Sequence, residues 1–111
     1  MITEIIPIPL YFGKLTLIKA ENFEEVNKKY NTSARDGEHA SVAFRYEDDN
    51  YVIVIISAED LSVLAHEVVH IVNYIFKDVG IKLDLDNDEP QAYLHGWIFS
   101  QVLEFIKNQT L

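Results

Sequence analysis

The chain has 111 residues, 49% hydrophobic and 24% charged, so we expect one folded domain with one core and no long disordered segment. Its formal net charge of −9 argues against nucleic-acid and acidic-membrane partners, because phosphate groups are bound by Lys and Arg. There are no cysteines, which excludes disulfides and zinc sites built from cysteine.

The first ten residues are apolar, but they carry Glu4, Pro7 and Pro9 and no basic residue, which is untypical of a secretory signal. No apolar run reaches the roughly 20 residues that a membrane helix needs. We therefore expect a cytoplasmic protein without a membrane partner. The oligomeric state is left open by the sequence.

The first third of the chain predicts strands and a short helix. Residues 8–19 have the pattern of an extended segment, which is predicted to form two short strands separated near Gly13. A helix is predicted over residues 21–30, with Asn22 as its N-cap. The apolar residues that share one face of this helix are Phe23, Val26 and Tyr30.

A β-hairpin is predicted next. A loop of turn-forming residues over 31–39 leads into strands over 40–46 and 51–57, joined by the short polar connection at 48–50. The second strand is apolar on both faces, so we expect it inside the sheet.

Two long helices complete the chain. The first is predicted over residues 60–79, with Asp60 as N-cap and Gly80 just beyond its end. An acidic connection over 81–88 leads to the second, over 89–108. This order of elements predicts an α+β domain, with helices on one side of a small antiparallel or mixed sheet.

The motif that carries chemistry is His66-Glu67-Val68-Val69-His70. Histidines at i and i+4 lie one above the other on a helix, so both imidazoles can point at one cation. Glu67 projects to the side, where it can hold a water instead of binding the metal. Four polar residues form a stripe within roughly 80° on an otherwise apolar helix. They are Ser62, His66, His70 and Asn73. The alternative is two core histidines that form hydrogen bonds without a metal.

A catalytic zinc site normally has three protein ligands and one open position, so a further ligand is expected. Glu89 is favoured among four nearby acids, because it begins a helix just before Pro90 and so has a defined direction. The alternative is that Glu89 binds no metal and interacts only with the helix dipole. In that case Asp86 or Asp88 would be the third ligand. A calcium loop is disfavoured, because the acidic stretch lacks the required spacing.

The helix face around Glu89 adds to this choice. Small residues at Ala92 and Gly96 are expected to let the second long helix approach the His66–His70 helix closely. The residues on this face are Ala92, Tyr93, Gly96 and Ser100.

H-E-V-V-H followed by a glutamate on the next helix resembles the gluzincin group of metallopeptidases. In particular, it resembles the small single-domain zincins encoded by phages and bacteria, and more distantly ImmA-like peptidases. The stretch E-P-Q-A-Y-L-H-G-W is similar to the glutamate-bearing helix of phage members. The resemblance implies a zincin-like domain over residues 1–111, with one zinc ion per chain held by His66, His70 and Glu89. Larger gluzincins have an acid where this chain has Tyr93.

The resemblance also implies a reaction, the hydrolysis of a peptide bond in a protein or peptide substrate. Zinc would lower the pKa of a water toward about 7, and Glu67 would act as general base and pass the proton to the leaving amine. Tyr93 is the first candidate donor to the developing oxyanion and His39 the second. By analogy, the strand over 40–46 would pair with the substrate. The alternatives are a zinc-binding interaction module without catalysis and an acidic inhibitor without zinc.

Overall fold

The computed structural model describes residues 1–109, in which a mixed β-sheet separates one short helix from two long ones. The α+β class and the mixed sheet are therefore confirmed. The elements in chain order are β1 (Ile2–Pro7), β2 (Lys14–Lys19), α1 (Glu24–Tyr30), β3 (Ser41–Tyr46), β4 (Asn50–Ile55), α2 (Leu61–Val79) and α3 (Glu89–Gln109).

The strand order in the sheet is β1-β2-β4-β3. β1 pairs antiparallel with β2, β2 runs parallel to β4, and β3 pairs antiparallel with β4. The prediction that the strand after the hairpin turn lies inside the sheet is confirmed, because β4 has a neighbour on each side and Tyr51–Ile55 are all buried. β1 was not predicted, and it forms one edge of the sheet. β3 is the edge strand on the side of the histidine motif.

The two sheet faces are both covered, which corrects the prediction that the helices lie on one side. Along β4, Val52 and Val54 pack against α1, whereas Ile53 and Ile55 pack in the cluster that contains the long helices. Successive side chains of a strand point to opposite faces, so a strand that is apolar throughout needs cover on both. The predicted face of α1 is confirmed, since its residues are buried there: Phe23, Val26 and Tyr30.

Helix α2 has the boundaries that its capping residues predict. The Asp60 carboxylate accepts a hydrogen bond from the Ser62 backbone N–H at 3.0 Å. Gly80 ends the helix in the left-handed region at φ 78°, which glycine adopts without strain. One face of α2 is fully buried against the sheet and α3 through Leu64, Val68, Ile71, Val72 and Ile75. This packing leaves the stripe with His66 and His70 at the surface.

Helix α3 begins at Glu89 as predicted, but it packs through a different face from the one expected. Its buried residues are Leu94, Ile98, Val102 and Phe105. Ala92 and Gly96 are exposed, and a Cβ added at Gly96 would meet nothing within 4 Å. The expectation that these small residues pack against α2 is therefore wrong, because burying four large apolar side chains stabilises far more than a close approach at alanine and glycine. Within residues 1–109, no helix has both the length and the apolar character needed to cross a bilayer.

Candidate metal centre

The two motif histidines lie one turn apart on the exposed side of α2, and their Nε2 atoms are 3.1 Å from each other. Two nitrogen ligands of one tetrahedral zinc ion are roughly 3.3 Å apart, from a Zn–N distance of about 2.05 Å. The imidazoles therefore already have the spacing that a shared ion requires. The same separation also suits a hydrogen bond from one ring to the other in the metal-free chain, if one Nε2 carries the proton.

Glu67 completes a group of three possible metal ligands. Its Oε1 atom lies 3.9 Å from the Nε2 of His66. One ligand atom from each of His66, Glu67 and His70 falls within 4.8 Å of the others, and this is the group found among residues 1–109. The chain could hold a metal ion here, because nitrogen and carboxylate oxygen are ordinary ligands of divalent transition metals.

Burial sets Glu67 apart from the two histidines. The residue is only 7% exposed, whereas the side chain of His66 is 66% exposed. This burial raises the pKa of the Glu67 carboxyl, and electrostatic interactions with His66 and His39 lower it in part. A carboxyl with a raised pKa takes up and returns a proton closer to neutral pH than a surface glutamate does.

A cleft opens beside Glu67, between α2 and the start of the edge strand β3. Its α2 wall includes Ser62, His66 and Glu67, and its opposite wall includes His39 and Ser41. Ser41 is 5% exposed, and its hydroxyl oxygen has no hydrogen-bond partner within residues 1–109. Buried hydroxyl groups normally have a partner, so the Ser41 hydroxyl is an exception in the wall of the cleft.

The other predicted site residues lie outside the group of three. Glu89, Asp86 and Asp88 are exposed, and none of them belongs to the ligand group found among residues 1–109. The identity of the third ligand stays a prediction. Tyr93 is 75% exposed and lines an apolar groove beside the β1–β2 loop, and its role as a donor also stays a prediction.

The structure places two further residues in the cleft, one predicted and one not. His39 was predicted as the second donor from a loop position, and it lies in the cleft with His66 and Glu67. Ser41 was not predicted. No local sequence signal identifies a serine at the start of an apolar strand as part of a cleft, because the opposite wall comes from a helix 20 residues further along the chain.

No protein-family model matches the sequence, and no curated protein or solved structure matches it significantly.

Proposed function

We propose that this protein is a zinc-dependent metallopeptidase of the gluzincin type. The observation that carries the proposal is the convergence of His66, Glu67 and His70 within 4.8 Å at the edge of an open cleft. A buried glutamate between two exposed histidines on one helix is the arrangement that metal-assisted hydrolysis needs, with ligands and proton acceptor in fixed positions.

His66 and His70 would hold the zinc ion through their Nε2 atoms, and Glu89 would be the third protein ligand. Imidazole suits zinc, and a carboxylate is its common partner in sites with two histidines. α3 packs beside α2 in the same core cluster, so the first residue of α3 is a reasonable source of that carboxylate. Glu89 is exposed at the start of α3.

When bound, zinc would polarise a peptide carbonyl and lower the pKa of a water toward about 7. Glu67 would accept the proton of that water and deliver it to the leaving amine, a role that its raised pKa favours. His39 lines the same cleft and would donate a hydrogen bond to the developing oxyanion. Tyr93 is the other candidate for this donor.

A protein or peptide substrate fits the site better than a nucleic acid. The net charge of −9 repels phosphate. The edge strand β3 begins at Ser41 in the cleft wall, so an extended peptide that paired with β3 would pass Glu67.

The test combines metal content with cleavage. Protein purified without chelator should contain about one zinc per chain and should cleave fluorescein-labelled casein or a quenched peptide library. Glu67→Gln should keep the zinc and lose cleavage, whereas Glu104→Gln, an exposed glutamate on α3, should change neither. Protein without zinc, or cleavage that survives Glu67→Gln, would refute the proposal.

The third ligand has a test of its own. Glu89→Ala should weaken zinc binding strongly, and the neighbouring Asp86→Ala and Asp88→Ala serve as matched controls that should not. Equal zinc affinity in all three variants would mean that another group, or a water, takes the third position.

A further inference from the structure

The loop between β1 and β2 displays two large apolar side chains to solvent. Leu10 is 88% exposed and Phe12 is 85% exposed. A single apolar residue on a surface is ordinary, but two large ones at the tip of one loop form the start of a patch.

Both residues also have backbone conformations that bulky side chains rarely adopt. Leu10 has φ 70° and Phe12 has φ 63°, in the left-handed region that favours glycine. A chain that needed only to turn here would do so with less strain using glycine or asparagine. Strain held at bulky residues is found where the strained residues have a function.

The strained loop is held in place by the rest of the fold. The Ile8 backbone N–H donates to the Gly13 carbonyl at 3.1 Å, and the Tyr11 N–H donates to the Pro9 carbonyl at 2.8 Å. The Tyr11 ring packs edge-on against Phe76 of α2, with ring centroids 5.9 Å apart. Leu10 and Phe12 therefore project from a fixed support, which lowers the entropy cost of binding.

An apolar groove lies between this loop and the first turns of α3. One wall includes Pro9, Leu10 and Tyr11, and the other includes Pro90, Tyr93 and Trp97. None of these side chains carries a charge. We call this surface the loop–α3 groove.

The segment that leads into the α3 wall is acidic. Asp84, Asp86, Asp88 and Glu89 are all exposed and precede Pro90 directly in the sequence. Glu89 is bonded directly to Pro90 of the groove wall, so the acidic segment meets the groove at that end. A segment that combines apolar and basic residues is complementary to such a surface. A second copy of this chain, with its net charge of −9, would bring a second acidic margin to the contact. An anionic membrane would be repelled in the same way.

We propose that the loop–α3 groove docks a basic, amphipathic segment of a partner protein. Apolar side chains of that segment contact Leu10, Phe12 and Tyr93, and its Lys or Arg residues lie against the acidic residues at 84–89. Glu89 and Tyr93 also figure in the proposed peptidase site, so docking is tested in EDTA, where it needs neither the metal nor the cleft beside Glu67.

Trp97 is the single tryptophan of the chain, and its fluorescence therefore reports on the groove directly. The probe is a synthetic amphipathic peptide of leucine and lysine, titrated into the full chain in the presence of EDTA. We expect a saturable blue shift of the emission. A peptide with the same leucine pattern and glutamate in place of lysine should bind at least about tenfold more weakly, since it meets like charges at the margin.

The variant Leu10→Gly/Phe12→Gly separates docking from folding. Glycine adopts positive φ without strain, so this variant should melt at or above the temperature of the unaltered chain. It should bind the leucine–lysine peptide at least about tenfold more weakly, as expected when central apolar contacts are removed. Ile5→Ser is the matched control, because Ile5 is 60% exposed on β1 away from the groove, and its binding should be unchanged.

Three results would overturn the proposal. Equal binding by the glycine variant and the unaltered chain would mean that the peptide is held by net charge alone. An increase in mass with protein concentration in sedimentation, lost in the glycine variant, would assign the groove to a second copy. A blue shift with phosphatidylcholine vesicles and none with the leucine–lysine peptide would assign it to a lipid surface.

Discussion

Zinc should stabilise the fold, and His70→Ala should abolish that stabilisation without weakening the metal-free protein. The two Nε2 atoms lie 3.1 Å apart, so removing one imidazole removes half of the histidine ligation. A ligand present at a hundred times its dissociation constant stabilises the native state by about 2.7 kcal/mol. For 111 residues the entropy of unfolding is about 0.23 kcal/mol per kelvin, so zinc should raise the Tm by about 12 °C.

The metal-free comparison makes this prediction specific. His70 is exposed, and substitutions at exposed positions usually change stability by no more than about 0.5 kcal/mol, or about 2 °C here. The assay is thermal unfolding followed by circular dichroism, with EDTA or with excess zinc. Asn73→Ala is the control, since Asn73 is exposed on the same stripe of α2 and should leave the zinc shift intact. A zinc shift that persists in His70→Ala would refute the assignment of the imidazoles as ligands.

Three further predictions concern stability in the absence of metal. Glu67→Gln should be more stable than the unaltered chain at pH 7, because burial raises the pKa of Glu67 and disfavours its charged form. This gain in stability should shrink as the pH falls toward the ordinary pKa range of glutamate. Urea titrations at several pH values measure it. Tyr51→Phe should cost about 1–2 kcal/mol in the same assay, since the Tyr51 hydroxyl donates to Asp78 at 2.7 Å. Burial and Asp78 also raise the pKa of Tyr51, so the unaltered chain should lose stability as the pH rises above about 10, and Tyr51→Phe should lose less. Gly13→Ala should cost about 1–3 kcal/mol by thermal unfolding, because Gly13 has φ 83° and a Cβ there would lie 2.6 Å from the Asp49 carbonyl oxygen.

Local signals predicted the part of the site that lies on one helix. Asp60 and Gly80 mark the ends of α2 because capping depends on a few neighbouring residues. The i, i+4 spacing of His66 and His70 fixes their shared direction once the helix is known. The apolar residues on both faces of β4 are also a local signal, and they were enough to predict a strand inside the sheet.

The predictions that were wrong or missing concern contacts between segments that are distant in the sequence. The helix α1 packs on the opposite sheet face from α2, which its own sequence cannot specify because both faces of β4 are apolar. For α3, the small residues Ala92 and Gly96 suggested one packing face. The period formed by Leu94, Ile98, Val102 and Phe105 was the stronger signal, and it is the face that is buried. The cleft with His39 and Ser41 needs the tertiary fold, because its two walls come from segments that are distant in the sequence.

Anomalous scattering at the zinc edge, from crystals of protein purified without chelator, tests the central claim most directly. We predict one peak within about 2.1 Å of the Nε2 atoms of both His66 and His70, with the Glu67 carboxylate close to it. Histidines that bond to each other with no anomalous peak between them would contradict the metal centre and, with it, the proposed peptidase.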